Sequence, residues 1–208
     1  GEIAMWNDPA IAALNPDATL PDLKVTPVNR SDDSGTTTNF TEYLAAAAPE
    51  TWTDKASGIW PASLQGENAK GTSGVVKTVT DTPGAVTYAD DSAVSGKLGV
   101  ALIKVGESYT KISAEAAAKA VDAGTPVEGR NANDLSIKLD RTTTIEGAYP
   151  IVLVSFHILC SSYDKQETVD LVKAFENYVV SETGQQAAAD AAKSAPLSKT
   201  LQDKALKS

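Results

Sequence analysis

Arg30-Ser31-Asp32-Asp33-Ser34-Gly35-Thr36-Thr37 is the stretch on which the reading of this chain turns. On its N-terminal side, Leu23 to Val28 reads as a short strand, with Pro27 marking an edge or a strand end. On its C-terminal side Phe40, Tyr43, Leu44 and Ala47 recur at helical spacing, and Pro49 closes that helix. The unit is therefore strand, polar glycine-containing turn, helix. Such a turn concentrates hydrogen-bond donors. The first N–H groups of a helix are unpaired and carry the positive end of its dipole. Gly35 lets the backbone approach a ligand closely, Ser34 and Thr36 each offer a hydroxyl, and Arg30 presents a planar fork matched to a tetrahedral oxyanion. Only three arginines occur in the chain, and one stands here. The pattern also allows a plainer reading, a helix capped by Ser34 or Thr36 after a strand, with Arg30 paired to Asp32. The turn is not a P-loop, because no Lys follows the glycine where the nucleotide-binding motif needs one.

Working outward, Asp8 caps a short helix over Pro9 to Leu14 that Asn15-Pro16 stops. Thr51 to Gly71 reads as loop, with Trp52 and Trp60 packed into it, and Thr72 or Ser73 caps a helix running through Val79. Ala85 to Tyr88 and Leu98 to Val105 read as strands, and Ser113 to Ala123 as an Ala-rich helix ended by Gly124. Asp90-Asp91 reads as a helix N-terminus, and Thr125 to Gly147 as irregular surface. Ile151 to Leu159 is the clearest strand, apolar enough for burial on both faces; His157 in it reads as a satisfied core or edge residue and Cys160 as a small buried hydrophobe. Asp164 and Glu167 resemble a capping box opening a helix with Val169, Val172, Phe175 and Val179 on one stripe and Gly184 at its end. Gln185 to Lys193 and Lys199 to Lys207 read as further short helices. Strands alternate with helices, so the class is α/β.

The 208 residues carry 18 Lys+Arg against 27 Asp+Glu, a formal net charge of −9, which argues against nucleic acid or an anionic membrane as partner. With 42% hydrophobic and 22% charged residues the chain is not largely disordered. One cysteine excludes an intramolecular disulfide and a Cys-based metal site, and one histidine excludes a multi-histidine site and weakens any Ser-His-Asp proposal. The longest apolar run, Tyr149 to Cys160, is shorter than the roughly 20 residues of a membrane helix. No basic segment followed by an apolar one opens the sequence, so no signal peptide is expected in it, and Gly1 in place of Met fits a mature, trimmed or deliberately cut chain.

Several motifs occur together and in order: Trp6-Asn7-Asp8-Pro9-Ala10-Ile11, Leu14-Asn15-Pro16, Leu20-Pro21, the Arg30 to Thr37 turn with Phe40-Thr41 and Tyr43-Leu44, Trp60-Pro61, Lys70-Gly71 with Gly74-Val75, Thr82-Pro83-Gly84-Ala85-Val86 with Tyr88, and Tyr149-Pro150-Ile151. In this combination, over nearly the whole length, the sequence resembles the phosphate-specific substrate-binding proteins of bacterial phosphate ABC transporters. The resemblance implies an α/β, periplasmic-binding-protein-like (type II) two-lobe fold with an incomplete first lobe. Residues 1–148 would form the second lobe with the anion-binding strand–turn–helix, and residues 149–208 the returning C-terminal part of the first. The family's N-terminal region, with about half of the phosphate ligands, would lie before this segment.

Carried over by position, Arg30 matches the family's phosphate-clamping arginine, Ser34, Gly35 and Thr36 match the donors at the helix start, and Asp32 matches the carboxylate that holds the arginine. Three positions depart from the family pattern: Asp33 and Thr87 stand where glycine is usual, and Thr72 where asparagine is. Asp33 is expected to face solvent or cap the helix, since a carboxylate beside an anion repels it. The implied function is extracytoplasmic, non-catalytic binding of inorganic phosphate, in the periplasm or cell envelope, for delivery to the permease subunits of an ABC importer. No catalytic residue, cofactor or metal is expected; a lipid anchor on the full-length protein and a homodimer through the exposed incomplete lobe are further expectations. The alternatives are a phosphate-ester hydrolase or phosphotransferase with Ser34 as nucleophile, which lacks a nearby base, and a structural fragment without ligand binding of its own.

Overall fold

In the computed structural model, which describes every residue except Gln65, Lys97 and Ser208, the chain divides into two compact units, Gly1–Gly99 and Val100–Ser208. The first opens with α1 (Pro9–Leu14), capped by Asp8 as expected, and is built on β1 (Thr26–Arg30). From β1 the chain enters α2 (Gly35–Ala47), returns as β2 (Glu67–Ala69), passes through α3 (Gly71–Asp81) and returns again as β3 (Ala85–Val86). All pairing is parallel and the strand order is β2-β1-β3, so β1 is central although it is first in sequence. Val28, 2% exposed, is the buried centre of that strand, and Val75 of α3 and Thr37 and Thr41 of α2 are fully buried. Phe40, Tyr88 and Trp60 stack on one another, with ring centroids 4.6 Å apart for Phe40–Tyr88 and 5.7 Å for Trp60–Tyr88, and Trp52 tilts against Trp60 at 5.3 Å.

The first unit departs from the sequence expectation at four places. The stretch Thr51 to Gly71, expected as loop, contains β2, whose pairing partner β1 lies nearly 40 residues earlier and gives no local signal. The strand expected over Leu23 to Val28 begins at Thr26 and reaches Arg30. Leu23 and Val25 bond instead to the N-terminal segment, through Trp6 N to the Leu23 carbonyl and Val25 N to the Ala4 carbonyl. The strand expected over Ala85 to Tyr88 is ladder-paired only at Ala85 and Val86. Neither Thr72 nor Ser73 caps α3: Lys70 occupies the N-cap without a side-chain bond, and the Gly71 N–H is satisfied by the Asp32 carboxylate at 3.0 Å. Asp90 does cap a short 3-10 turn, Asp91–Ala93, through Ser92 N.

The second unit begins with the hairpin β4 (Ile103–Val105) and β5 (Ser108–Thr110), where Gly106 (φ 59°) takes the positive φ that a two-residue hairpin turn requires. The strand expected over Leu98 to Val105 is thus only three residues long, because its partner is. The helix expected over Ser113 to Ala123 is α4 (Ala114–Asp122), with Ser113 as its N-cap, and a two-residue ribbon, β6 (Thr125–Pro126) with β7 (Ile137–Lys138), crosses the otherwise irregular stretch to Gly147. Three helices end the chain: α5 (Gln166–Val180), α6 (Glu182–Ala192) and α7 (Lys199–Ala205).

Here the sequence reading needs its largest corrections. Ile151 to Leu159 forms no strand, and instead of being buried on both faces it lies open, with Ile158 96% exposed. β-branched residues favour extended backbone, but a strand exists only where a neighbour takes its hydrogen bonds. No described strand runs beside this one; the carbonyls of Pro150 and Val152 accept from Arg141 Nη1 at 2.9 and 2.8 Å. His157 is accordingly not a core residue: it is half-exposed, paired with Glu176 at 2.9 Å and stacked on Phe175. Cys160 is exposed, not a buried hydrophobe. The Asp164–Glu167 box does not form, since Lys165 stands at the N-cap without a side-chain bond. On α5 the stripe residue Phe175 and its neighbour Leu171 face outward. Gly184 does not end α5; Ser181, in extended backbone, ends it and caps α6. Gly184 sits buried in the first turn of α6, where a Cβ would stand 1.9 Å from the Tyr178 carbonyl oxygen.

Candidate functional site

The central place of β1 creates a topological switch point. The chain leaves β1 for one flank of the sheet at β2, then crosses to the other flank at β3. In open α/β sheets ligands bind beyond the carboxyl ends of the strands at such a point. Arg30 is the last residue of β1 and Ser34 the N-cap of α2, so the segment from Arg30 to Thr37 lies at that end.

Asp32 fixes the arginine. Arg30 Nε donates to Asp32 Oδ1 at 2.8 Å and Nη2 to Oδ2 at 2.6 Å, a bidentate pair, and the Gly71 N–H adds a third bond to the same carboxylate. The side chain of Arg30 is 11% exposed. The hydrogen bonds to the guanidinium, with that from the Gly71 amide, hold the Asp32 carboxyl well below the usual carboxylate range. In return Asp32 raises the arginine pKa against the opposing effect of burial. A guanidinium has five N–H donors. Two serve Asp32 and one reaches the Thr72 hydroxyl at 3.5 Å, so two remain for a ligand.

The helix start supplies the other donors. Ser34 is 5% exposed, and its Oγ accepts from Thr37 N at 3.4 Å, while Thr38 N closes the first intrahelical bond to the Ser34 carbonyl. That leaves the N–H groups of Gly35 and Thr36 without an acceptor among the described residues. Gly35 is exposed, and a Cβ there would meet nothing within 4 Å, so no side chain or backbone crowds that position at the helix start. Two unpaired amides at the positive end of a 13-residue helix are a ready-made anion site. Asp33 is exposed, with its carboxylate over Gly58, where a Cβ would lie 2.0 Å from Oδ1.

The plainer reading of the turn describes it equally well in part: Ser34 does cap the helix, and Arg30 does pair with Asp32. The two readings are compatible, because an N-cap hydroxyl accepts one amide and leaves the two before it. The partners that come from far along the chain leave no mark in the local sequence. Gly71 contributes the third bond to Asp32, and the Tyr88 hydroxyl accepts from Arg30 N at 3.3 Å and lies 2.8 Å from Thr37 Oγ1. No local pattern signals either contact.

Among the described residues no group of three or more His, Cys, Asp or Glu is placed to hold a metal ion, and no helix is long and apolar enough to cross a membrane. Residues 1–183 match a family model described as a PBP superfamily domain. Among curated proteins, the chain is 38% identical over 180 residues to the phosphate-binding protein PstS 3 of Mycobacterium tuberculosis H37Rv, covering 84% of this chain and 48% of that protein. It is 35% identical over 209 residues to PstS 2 of the same organism, covering 98% and 55%. It is 34% identical over 188 residues to PstS of Xylella fastidiosa Temecula1, covering 85% and 50%. The chain thus spans about half the length of the curated relatives it matches. A solved structure of a high-affinity periplasmic phosphate-binding protein, PfluDING, bound with phosphate, superposes with a TM-score of 0.61 at 18% identity, covering 98% of this chain and 60% of the other. The α/β architecture, the strand–turn–helix at the switch point and the family match agree: this chain belongs to the PBP superfamily.

Proposed function

We propose that this chain carries one jaw of an extracytoplasmic phosphate-binding protein that delivers inorganic phosphate to the permease subunits of an ABC importer. The observation that carries the reading is the pair of open amides, Gly35 and Thr36, at the end of the strand whose last residue, Arg30, is locked in a bidentate pair with Asp32. Arg30, Ser34, Gly35 and Thr36 are the phosphate-binding residues in this reading and Asp32 their support. A relative named as a phosphate-binding protein matches 98% of the chain, which supports phosphate over other anions. Residues 1–148 form most of one lobe and residues 149–208 the returning part of the other. The open apolar run from Ile151 to Leu159 is then a strand awaiting partners that this chain does not supply, and a second copy of the chain is one available partner. The role is non-catalytic: Ser34 is buried and already engaged as a cap, and the single histidine, His157, is paired with Glu176.

Lobe closure needs contacts from both lobes, since only differential affinity shifts the equilibrium. One jaw alone should therefore bind phosphate with a Kd of about 1 mM, about 4 kcal/mol. Titration calorimetry backed by amide NMR shifts at Gly35 and Thr36 checks this, with Arg30→Met expected to abolish the response. No shift at either amide up to about ten times that concentration refutes the reading; nanomolar binding refutes the account of a half-built clamp.

A further inference from the structure

We infer that Tyr88 is a positioning residue of the anion loop: its hydroxyl stands in for the missing end of β3, fixing Arg30 and the first turn of α2 at one spacing. The inference rests on the reading of that loop as a phosphate site and deepens it. Along β1, Thr26, Val28 and Arg30 turn their backbone groups toward β3, as alternate residues of a strand must. Thr26 N donates to the Gly84 carbonyl, an ordinary backbone bond. The backbone pairing then stops at Val86, and the next two bonds are made by side chains. Thr87 Oγ1 donates to the Val28 carbonyl at 2.7 Å, and the Tyr88 hydroxyl accepts from Arg30 N at 3.3 Å. Replacing backbone by side-chain partners satisfies the polar groups of β1 while leaving the β3 backbone farther from it, which opens the sheet at the ligand end.

The same hydroxyl lies 2.8 Å from Thr37 Oγ1, and Thr37, fully buried, is the third residue of α2, directly after the two residues with open amides. One oxygen thus ties the strand end that bears the arginine to the helix turn that bears the amides. Its own position is set by the ring, stacked at interplanar angles of 20° on Phe40 and 22° on Trp60. Tyr88 in this account touches no ligand and acts through Arg30 N and Thr37.

Tyr88→Phe removes the oxygen and keeps the stacked ring, so it is the test. By amide hydrogen exchange, Arg30 should exchange about two- to tenfold faster, the factor for losing one hydrogen bond. Val28 and Val75, in the core, should keep parental rates. Phosphate Kd, read by NMR titration of the Gly35 and Thr36 amides, should rise by a similar two- to tenfold. Thr37→Val should raise it likewise, Thr37→Ser should restore it, and the Tyr88→Phe/Thr37→Val pair should lose no more than Tyr88→Phe alone, since that variant already removes the interaction the two side chains share. A merely structural tyrosine would lower Tm in every variant and leave Kd and the cycle untouched. Parental exchange at Arg30 together with parental Kd overturns the inference. If the parent chain itself shows no phosphate response, the phosphate reading fails, and the exchange rate at Arg30 still decides the positioning role.

Discussion

Asp32 is the residue on which the arginine's geometry depends. Its carboxylate accepts three hydrogen bonds, two from Arg30 and one from Gly71 N, and all three favour the ionised form. The folded-state pKa is therefore depressed below the unfolded value of about 3.9. A depressed carboxyl contributes stability that is fully present above the unfolded pKa and is lost as pH falls through the folded one. Asp32→Asn should accordingly be less stable than the parent by a constant margin at pH values above about 5, with the margin shrinking below about pH 4. Urea unfolding of the two proteins across that range measures it, and a margin that stays flat into strong acid would refute the assignment. Phosphate binding should weaken in the same variant at neutral pH, because a guanidinium without its planar partner loses its fixed orientation.

At the level of elements, what could be read from sequence and what could not divide by the range of the interactions involved. The helices α1, α2 and α4 were legible because their caps, Asp8, Ser34 and Ser113, act within three residues. The candidate site was legible for the same reason, since Arg30 through Thr36 is one local unit. Gly84, in the turn before β3, is a local requirement of another kind: at φ 83°, with a Cβ only 2.4 Å from the Lys24 carbonyl oxygen, glycine is required twice over. Its own carbonyl accepts from Thr26 N and from Trp6 Nε1 at 2.9 Å. Gly84→Ala should destabilise the first unit by about 2 kcal/mol or more, through strain and displaced backbone; thermal unfolding checks it, and a Tm within a degree or so of the parent would contradict the geometry. Ile151 to Leu159 was misread because a strand is a relation between segments, and apolar content cannot reveal whether the second segment is present. The contacts of Tyr88 and Gly71 are not legible in the sequence because each meets its partner tens of residues away.

For the molecule as a whole, the distribution of apolar surface is the unusual quantity. Phe156, Ile158 and Leu159 stand open in one segment, and Leu171, Phe175 and Tyr178 stand open on α5 of the same unit. Monomeric proteins rarely expose contiguous apolar surface of that kind, and extended backbone with unpaired groups beside it invites a second chain. The isolated chain should therefore self-associate at micromolar concentration or above, as read by sedimentation velocity. Replacing Ile158 and Phe156 by lysine should shift it toward monomer while leaving the Gly35 and Thr36 amides responsive to phosphate. A strictly monomeric parent would remove the case for pairing through this run.

The order β2-β1-β3 also has a consequence in time. β1 is synthesised first, yet none of its neighbours is local: Asp32 waits for Gly71, 39 residues on, and Arg30 for Tyr88, 58 residues on. Contacts of such separation form late, because the loop between them must be closed before they give any return in energy. The charged end of the sheet is thus completed only after β2 and the segment following β3 have been added. A growing chain that has emerged only as far as α3 already contains Arg30, its partner Asp32, Ser34, Gly35 and Thr36, but not Tyr88, whose hydroxyl joins the strand end to the helix turn.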